Sequence, residues 1–399
     1  MEHNPGFVTW CPGCEWNLLP APPRKVTRLL ALEHRLADGM AERLVSGVGG
    51  RRRESTRPRL LDGIIAHLLA LPVHLATFGF AAGGLWLVVL GGNWPLRVLG
   101  VVLLVVAVGT RPHFSKEPKR AIRLTADSAP QLFDLLTSVA SVTEAPIPGA
   151  VVINAQFNAW AQRVGWRRRR IMGIGAPLWQ AAPPQARIAL LGHELGHFAH
   201  GDLARGLWVG SALDTLARWR SALSNGWSTG SIQRVIGVLV FVPLRSVVAG
   251  YAALLERANA PSHRRQEHLA DLDAARVGGS AGALALLDAM LAGNSVQVAI
   301  TRAAARADRP DVWQTVREQI DATPLTEIER RRRAAELERS RIDDTHPRTA
   351  LRIRLIQLRP ALEPAVFRDP GAWARIDAEM SAGIAAAGRL ATEQVSYQF

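Results

Sequence analysis

The chain contains little cysteine and little lysine. Two cysteines in 399 residues, Cys11 and Cys14, are too few for a disulfide framework. Their C-x-x-C spacing is typical of a metal knuckle or a redox pair, but a zinc ribbon needs two more ligands, so a structural turn is the alternative. Only three of the 48 basic residues are lysines, and the arginine excess therefore indicates a coding bias before it indicates a binding surface.

The arginine clusters lack the neighbours that nucleic-acid binding requires. They lie at 51–53, 167–170 and 330–333 in a chain of net charge +14. None accompanies a recognisable nucleic-acid-binding fold or a set of interleaved stacking aromatic residues. We therefore expect no nucleic-acid partner, and we interpret the clusters as solvated or as facing anionic lipid. The first 20 residues also lack a basic stretch followed by an apolar one, so we expect no signal peptide.

Charged side chains are absent from one long stretch near the N-terminus. Residues 63–96 contain no Asp, Glu, Lys or Arg, and a second apolar run follows Arg97. A bilayer core of about 30 Å requires about 20 apolar residues in a helix, so Ile64–Leu90 and Trp94–Thr110 are long enough to span it. A pair of buried core helices is the alternative, but such helices normally carry a polar face. The sequence predicts a transmembrane hairpin at 61–110.

The charges around this hairpin predict its orientation. Arginines and lysines flank it on both sides, while its turn contains only Arg97. The positive-inside rule then places both ends in the cytoplasm, so we expect a multi-pass protein of the cell membrane whose catalytic part is cytoplasmic. A further apolar run at 235–255 contains Pro243 and Arg245. There, a helix packed on the soluble part or lying at the membrane surface is favoured over a third span.

Three shorter elements are predicted after the hairpin. An amphipathic helix is expected at Thr125–Thr143, with Asp127 or Ser128 as its cap. Residues 149–165 and 169–175 read as two strands joined by a turn. A second helix begins near Pro183 or Pro184 and ends at Gly201.

The segment His193-Glu194-Leu195-Gly196-His197 on this second helix has the spacing of a metal site. Positions i and i+4 share one helical face, so both imidazoles can bind one Zn²⁺ while Glu194 acts as general base. Two packed histidines beside a solvated glutamate are the alternative. Downstream, Glu267 supplies a carboxylate that completes a His₂Glu zinc set with a fourth position open for water. Asp271, one turn later, is placed to accept the outer N–H of a ligand histidine.

These motifs and the hairpin before them resemble the HtpX-like membrane zinc endopeptidases, relatives of the CAAX prenyl proteases. Two further segments resemble the same family. Asn158-Ala159-Trp160-Ala161 is similar to its Asn-Ala-Phe-Ala segment, with Trp in place of Phe. Thr345-His346-Pro347 followed by Arg352 is similar to its late His-Pro motif. The four motifs occur in family order, and the resemblance covers about 130–358.

The resemblance implies a fold and a metal. The fold is α+β: a helix-rich, zincin-type (gluzincin) catalytic domain with a small sheet. One Zn²⁺ per chain is held by His193, His197 and Glu267, and Glu194 activates the water and later protonates the leaving amine. His200 shares the face of the two ligand histidines, but the metzincin pattern is absent, so we assign it to the surroundings of the site or to the core.

The resemblance also implies roles outside the metal ligands. His346 and Arg352 match positions that approach the metal, where they act as catalytic or gating residues. Asn158 belongs to substrate binding. The strand around Val152–Trp160 would be the sheet edge to which an extended peptide adds as a further strand.

The predicted organisation is therefore an N-terminal cytoplasmic segment at 1–60, the hairpin at 61–110, a peptidase domain at 111–360 with a helical insertion at 204–258, and a helical tail at 361–399. The predicted function is a membrane-bound zinc endopeptidase acting on membrane-associated or misfolded polypeptides, with these polypeptides and the lipid bilayer as partners. A dedicated processing protease with one substrate is one alternative. A membrane adaptor with a structural metal site is another. The oligomeric state is left open.

Overall fold

The computed structural model describes residues 6–19, 60–111, 121–165, 167–200, 202–224, 241–306, 311–337 and 347–396. Helices dominate these residues and four strands form one small mixed sheet, as predicted for an α+β chain. The helices are α1 (Leu60–Leu90), α2 (Trp94–Thr110), α3 (Pro130–Thr143), α4 (Ala176–Ala181), α5 (Pro184–Ala199), α6 (Asp202–Ala222), α7 (Val242–Leu291, interrupted at Gly279), α8 (Gly293–Ala305), α9 (Val312–Asp321), α10 (Leu325–Leu337), α11 (Thr349–Gln357) and α12 (Pro370–Ser396). The strands are β1 (Ile122–Leu124), β2 (Ala150–Asn154), β3 (Ala159–Val164) and β4 (Arg169–Gly175).

The chain forms two compact units. The sheet unit consists of Met1–Glu54, Ser115–Asp202 and Arg264–Phe399, and the helical unit consists of Ser55–Phe114 and Leu203–His263. The predicted domain boundaries stay predictions.

In the helical unit, α1 and α2 approach each other closely at two glycines. A Cβ atom on Gly84 would lie 2.9 Å from the carbonyl oxygen of Gly100, so this crossing has no room for a side chain. Asn93 caps α2, because its Oδ1 atom accepts a hydrogen bond of 3.1 Å from the backbone N–H of Leu96. The turn between the two apolar runs therefore lies at 91–93, between α1 and α2.

Apolar side chains cover the outside of α1 and α2. Leu68, Phe78 and Val105 are 61%, 71% and 66% exposed. Two helices in the described part of the chain are long and apolar enough to cross a membrane, Ile64–Leu90 and Val242–Leu291, whereas α2 is shorter. Only 11% of the apolar 18-residue stretch of α1 is buried, against 56% of the corresponding stretch of α7. A core helix of a soluble protein does not expose its apolar side chains in this way.

Polar groups inside the helical unit bond to one another. The His74 Nε2 atom lies 2.9 Å from the carbonyl oxygen of Trp208, and the indole N–H of Trp208 donates to the carbonyl oxygen of His67. The Tyr251 hydroxyl donates to the carbonyl oxygen of Leu69 at 2.6 Å. These bonds join α1 to α6 and α7, as expected for polar groups that sit among apolar helices.

The sheet of the other unit has the order β1-β2-β4-β3, with β2 and β4 parallel and the remaining pairs antiparallel. The prediction of two strands is wrong, because the first segment is divided at 155–158. The Asn154 Oδ1 atom accepts a hydrogen bond of 2.8 Å from the N–H of Gln156, and Asn158 N–H donates to the Gln156 carbonyl at 2.9 Å. This side-chain turn ends β2 and starts a new strand.

The division changes which strand lies at the edge of the sheet. β2, which contains Val152, pairs on both sides and its first four residues are buried, so it is an interior strand. The predicted edge around Val152–Trp160 is therefore corrected for its β2 part: the edge strands of this sheet are β1 and β3, and Trp160 belongs to β3. Trp160 of β3 lies over Gly173, its neighbour in β4, where a Cβ atom would overlap the indole ring. The glycine makes room for the indole ring of Trp160.

The predicted start and cap of the first helix of the sheet unit are also wrong. Thr125 and Ser128 bond to each other in a turn, and α3 begins later, at Pro130. Its free N–H groups are capped from another helix: the Glu379 carboxylate of α12 accepts from Gln131 and Leu132, both at 2.9 Å. α12 is thus part of the core of this unit.

The arginine cluster at 330–333 on α10 bonds within the chain. Arg330 and Arg331 share the carboxylate of Glu327, Arg332 forms a two-bonded pair with Asp288, and Arg333 pairs with Glu329. Packing around α10 thus accounts for this cluster. The cluster at 51–53 lies outside the described residues.

Candidate active site

Helix α5 presents the three residues of the metal motif, and its bounds agree with the prediction. Pro184 occupies the first helical positions, where the missing N–H costs nothing. Ile188, Leu191 and Leu195 are fully buried and hold the helix in the core. His193 and Glu194 are buried, at 3% and 4% exposure. The two motif histidines lie side by side, with ring centroids 4.9 Å apart.

Two glycines of α5 allow α7 to approach. A Cβ atom on Gly196 would lie 3.1 Å from the Cα of Ala270, and one on Gly192 would lie 3.3 Å from the Cα of Ala274. Gly192 and Gly196 are four residues apart, so they line one face of α5. Because the helices touch backbone to backbone there, α7 can bring Glu267 up to the histidines.

His193, His197 and Glu267 come together in one cluster. Their ligand atoms all lie within 4.8 Å of one another. The Glu267 carboxylate oxygens are 3.7 Å from His193 Nε2 and 3.6 Å from His197 Nε2. Donors at about 2.1 Å from one tetrahedral ion are about 3.4 Å apart, so two imidazole nitrogens and one carboxylate oxygen at this spacing fit Zn²⁺.

Asp271 orients His193. Its Oδ1 atom lies 3.1 Å from His193 Nδ1, on the side of the ring opposite to Glu267. An ionised carboxylate can only accept hydrogen bonds, so Nδ1–H of His193 donates to Asp271, and Nε2 of the neutral ring keeps its lone pair toward Glu267. This is the tautomer that a metal ligand requires.

Arg352 holds Asp271 in turn. It is 1% exposed, and its Nε and terminal nitrogen donate to both carboxylate oxygens of Asp271, at 2.6 Å for the shortest bond. Burial alone would raise the pKa of Asp271, but the Arg352 charge and the hydrogen bonds from His193 and Arg352 hold that pKa well below its usual range. The carboxylate therefore stays ionised beside His193.

His200 has a different partner. Its Nε2 atom lies 2.8 Å from the Asp273 carboxylate, which also pairs with Arg276 at 2.9 Å. In the described part of the chain, the side chains grouped closely enough to hold a metal ion include Glu267 and not His200. The sequence did not predict this partner, although Asp273 lies only two residues after Asp271.

The remaining predicted site residues lie at different depths. Asn158 is exposed at the start of β3, and its carbonyl accepts a bond of 2.8 Å from the Gly175 N–H. β3 packs against α5, the helix that carries His193 and His197. His346 lies outside the described residues.

The side chains of this site indicate a class of protein. A pair of histidines at i and i+4, here one buried and one half-buried, with a glutamate from a second helix is typical of metal-dependent peptidases. The model of Peptidase family M48 matches residues 126–359, and the chain belongs to this family. It is therefore a metallopeptidase in general terms, of a family that is generally zinc-dependent. No curated protein matches the chain.

The Asp271→Asn variant tests the orienting bond. An amide can donate as well as accept, so it no longer fixes the tautomer of His193, and we expect zinc affinity or peptidase activity to fall about 10- to 100-fold. Dialysis against zinc buffers measures the first and cleavage of an unfolded polypeptide the second.

This substitution also leaves the buried Arg352 cation without its counter-charge, which costs about 3–5 kcal/mol. The double variant Asp271→Asn/Arg352→Met removes both charges and recovers most of that stability in thermal unfolding. Activity that returns with the stability would contradict the orienting role, because only the fold would then have been damaged.

Proposed function

We propose that the chain is a membrane-bound zinc endopeptidase that hydrolyses peptide bonds of membrane-associated or misfolded polypeptides. The observation that carries the proposal is the cluster of buried His193 and Glu267 with half-buried His197, whose spacing fits one Zn²⁺. Membership of Peptidase family M48 supports the peptidase chemistry. The exposed apolar surface of α1 and α2 supports the membrane location.

His193, His197 and Glu267 would hold the ion. When bound, Zn²⁺ lowers the pKa of water and polarises a carbonyl group. Glu194 follows the first ligand on α5 and is buried, so it can accept the proton that water loses as its oxygen attacks the carbonyl carbon. Glu194 then returns this proton to the amide nitrogen as the carbon–nitrogen bond breaks.

Two further residues act through the ligands. Asp271 fixes the Nδ1–H tautomer of His193, and Arg352 fixes Asp271. Arg352 is fully enclosed, so we assign it a positioning role in place of the direct catalytic role that the resemblance implies. His346 stays a candidate for that direct role.

The edge strand β3 offers a place for the substrate. Among the described strands β3 pairs only with β4, so main-chain groups on its other side can bond an extended peptide. Such bonding gives affinity with weak sequence preference. Asn158 lies exposed where this strand begins and would contact the peptide there. Polypeptides with an unfolded stretch are the substrates that such an edge accepts.

Metal removal tests the proposal. We expect the detergent-solubilised full chain to cleave an unfolded polypeptide such as casein, to lose this activity on treatment with dipicolinate, and to regain it with added Zn²⁺. The matched control is dipicolinate loaded with zinc beforehand. Activity that survives chelation, with zinc shown to be absent, would overturn the proposed chemistry.

Cysteine labelling tests the topology. Replacing Cys11 and Cys14 by serine removes every cysteine from the chain, and one new cysteine is then placed at Gly92 or at Ser381. Gly92 has open space around it and Ser381 is exposed on α12. We expect a membrane-impermeant maleimide to label Gly92→Cys on intact cells and Ser381→Cys only after lysis. The reverse pattern would contradict a cytoplasmic catalytic unit.

A further inference from the structure

The two cysteines lie in a tight turn that the peptidase chemistry does not use. Glu15 N–H donates to the Cys11 carbonyl at 2.8 Å, and Cys11 N–H donates to the Trp16 carbonyl at 3.1 Å. Glu15 has a φ of 57°, in the left-handed region that favours glycine. A non-glycine residue keeps such a conformation only where its surroundings impose it.

Contacts with α10 impose this conformation. The indole N–H of Trp10 donates to the Thr326 carbonyl at 3.1 Å, and the Arg333 guanidinium lies over the Trp10 ring at 5.4 Å. Arg333 also donates to the Pro12 carbonyl at 2.7 Å, inside the turn itself. Trp10 and Leu18, on either side of the turn, are buried. The turn is therefore a fixed part of the sheet unit.

The fixed turn presents both thiols to solvent. Both cysteines are free, with Cys11 half-buried and Cys14 exposed. The N–H groups of Cys14 and Gly13 and the thiol of Cys14 all bond to the Cys11 sulfur, and these bonds lower the pKa of Cys11. Nothing lies within 4 Å of a Cβ atom built on Gly13, so the space beside the turn is open. Backbone N–H groups aimed at a sulfur stabilise the thiolate that binds metals.

We propose that Cys11 and Cys14 bind a thiophilic metal ion, with Zn²⁺ first among them, which is shared with the same two cysteines of a second copy of the chain. The site is separate from the His193-His197-Glu267 cluster and depends on none of its residues. This metal site would give the C-x-x-C motif a function, which peptide hydrolysis does not.

The sharing follows from a count of ligands. A structural zinc site with thiolate ligands is tetrahedral and closed by four protein groups. One turn supplies two sulfurs, the chain has no third cysteine, and in the described part of the chain no His, Asp or Glu joins Cys11 and Cys14 in a group of three possible metal ligands. Two copies supply four equivalent sulfurs related by a two-fold axis, which is the commonest symmetry of soluble oligomers. The exposure of Cys14 and the open space beside Gly13 allow two such turns to meet at one ion.

Cadmium titration of the full chain tests this proposal, because the charge-transfer absorption of cadmium thiolates reports sulfur ligands alone. In the Glu267→Ala chain, where the His193-His197-Glu267 cluster lacks its carboxylate ligand and does not compete for cadmium, we expect the absorption to reach its end point at about 0.5 Cd²⁺ per chain, with light scattering showing a dimer that a chelator returns to a monomer. Cys14→Ser should abolish both signals. Glu15→Gln, in the same turn, should keep them, since the Glu15–Arg333 pair is long at 3.8 Å and exposed.

The Glu194→Gln variant separates this proposal from the proposed function. It should bind cadmium at the turn as the unchanged chain does, whether or not it cleaves a substrate. An end point near one ion per chain on a monomer would overturn the sharing. No thiolate absorption, or a Cys11–Cys14 disulfide that persists in reducing buffer, would overturn the metal site itself.

Discussion

The Glu194→Gln variant is expected to lose peptide hydrolysis and keep its metal. Glutamine has the volume of glutamate and fits the buried position of Glu194, but it cannot accept the proton of the attacking water. A general base contributes about 10²- to 10⁴-fold to a rate, so kcat on casein should fall by that factor while zinc content stays near one ion per catalytic site. Glu363→Gln, on an exposed residue, is the matched control.

This variant separates an enzyme from a structural metal site. A purely structural site has no use for a base beside its ligands, and a membrane adaptor would therefore be unaffected by the change. Unaltered casein cleavage by Glu194→Gln, with normal zinc content, would refute Glu194 as the base.

The second large effect is expected at Glu267. Its carboxylate is 2% exposed and faces both histidines, so replacing it by alanine removes the third ligand and leaves two imidazoles in an enclosed site. We expect zinc affinity to fall more than the about 100-fold that residues behind the ligands contribute, with activity lost in parallel. Metal analysis after dialysis and casein cleavage measure the two effects.

Two further variants keep this result interpretable. Glu267→Gln preserves the side-chain volume and should also lose zinc, so a loss seen in both variants reflects the ligand and not the packing. His200 lies directly after α5 and pairs with Asp273, so the His200→Ala variant should keep its zinc. Zinc lost from His200→Ala and kept by Glu267→Ala would reverse the ligand assignment.

The metal helix could be predicted from sequence because its information is local. The spacing of His193 and His197 places them on one face of any α-helix, and the flanking prolines and Gly201 indicate where α5 begins and stops. Glu267 and Asp271 were identifiable because their spacing repeats this logic on a second helix. The long uncharged run predicts α1 and α2 by the same kind of local argument.

Features that depend on distant partners were not predictable in this way. The bond between Arg352 and Asp271 joins residues 81 positions apart, and no periodicity signals it. The cap of α3 comes from Glu379, more than 240 residues away, which is why a local cap at Asp127 or Ser128 was the wrong expectation. The role of Gly196 was not predictable either, because it depends on the close approach of α7 to α5.

The division of the first strand shows a third kind of limit. Residues 149–165 have strand-forming composition throughout, and the turn at 155–158 depends on one side-chain bond from Asn154. The turn separates the interior strand β2 from β3, which lies at an edge of the sheet. The predicted edge around Val152–Trp160 covered parts of both strands, and only its β3 part lies at the edge.

X-ray absorption at the zinc edge of the Cys11→Ser/Cys14→Ser chain tests whether His193, His197 and Glu267 bind zinc. This chain contains no cysteine, so zinc that it retains has no sulfur ligand, and in the described part of the chain these three residues form the cluster that could hold it. We expect one zinc per chain, with nitrogen and oxygen neighbours at about 2.0–2.2 Å and the outer-shell pattern of two imidazole rings. An absence of zinc, or a spectrum without imidazole neighbours, would contradict it.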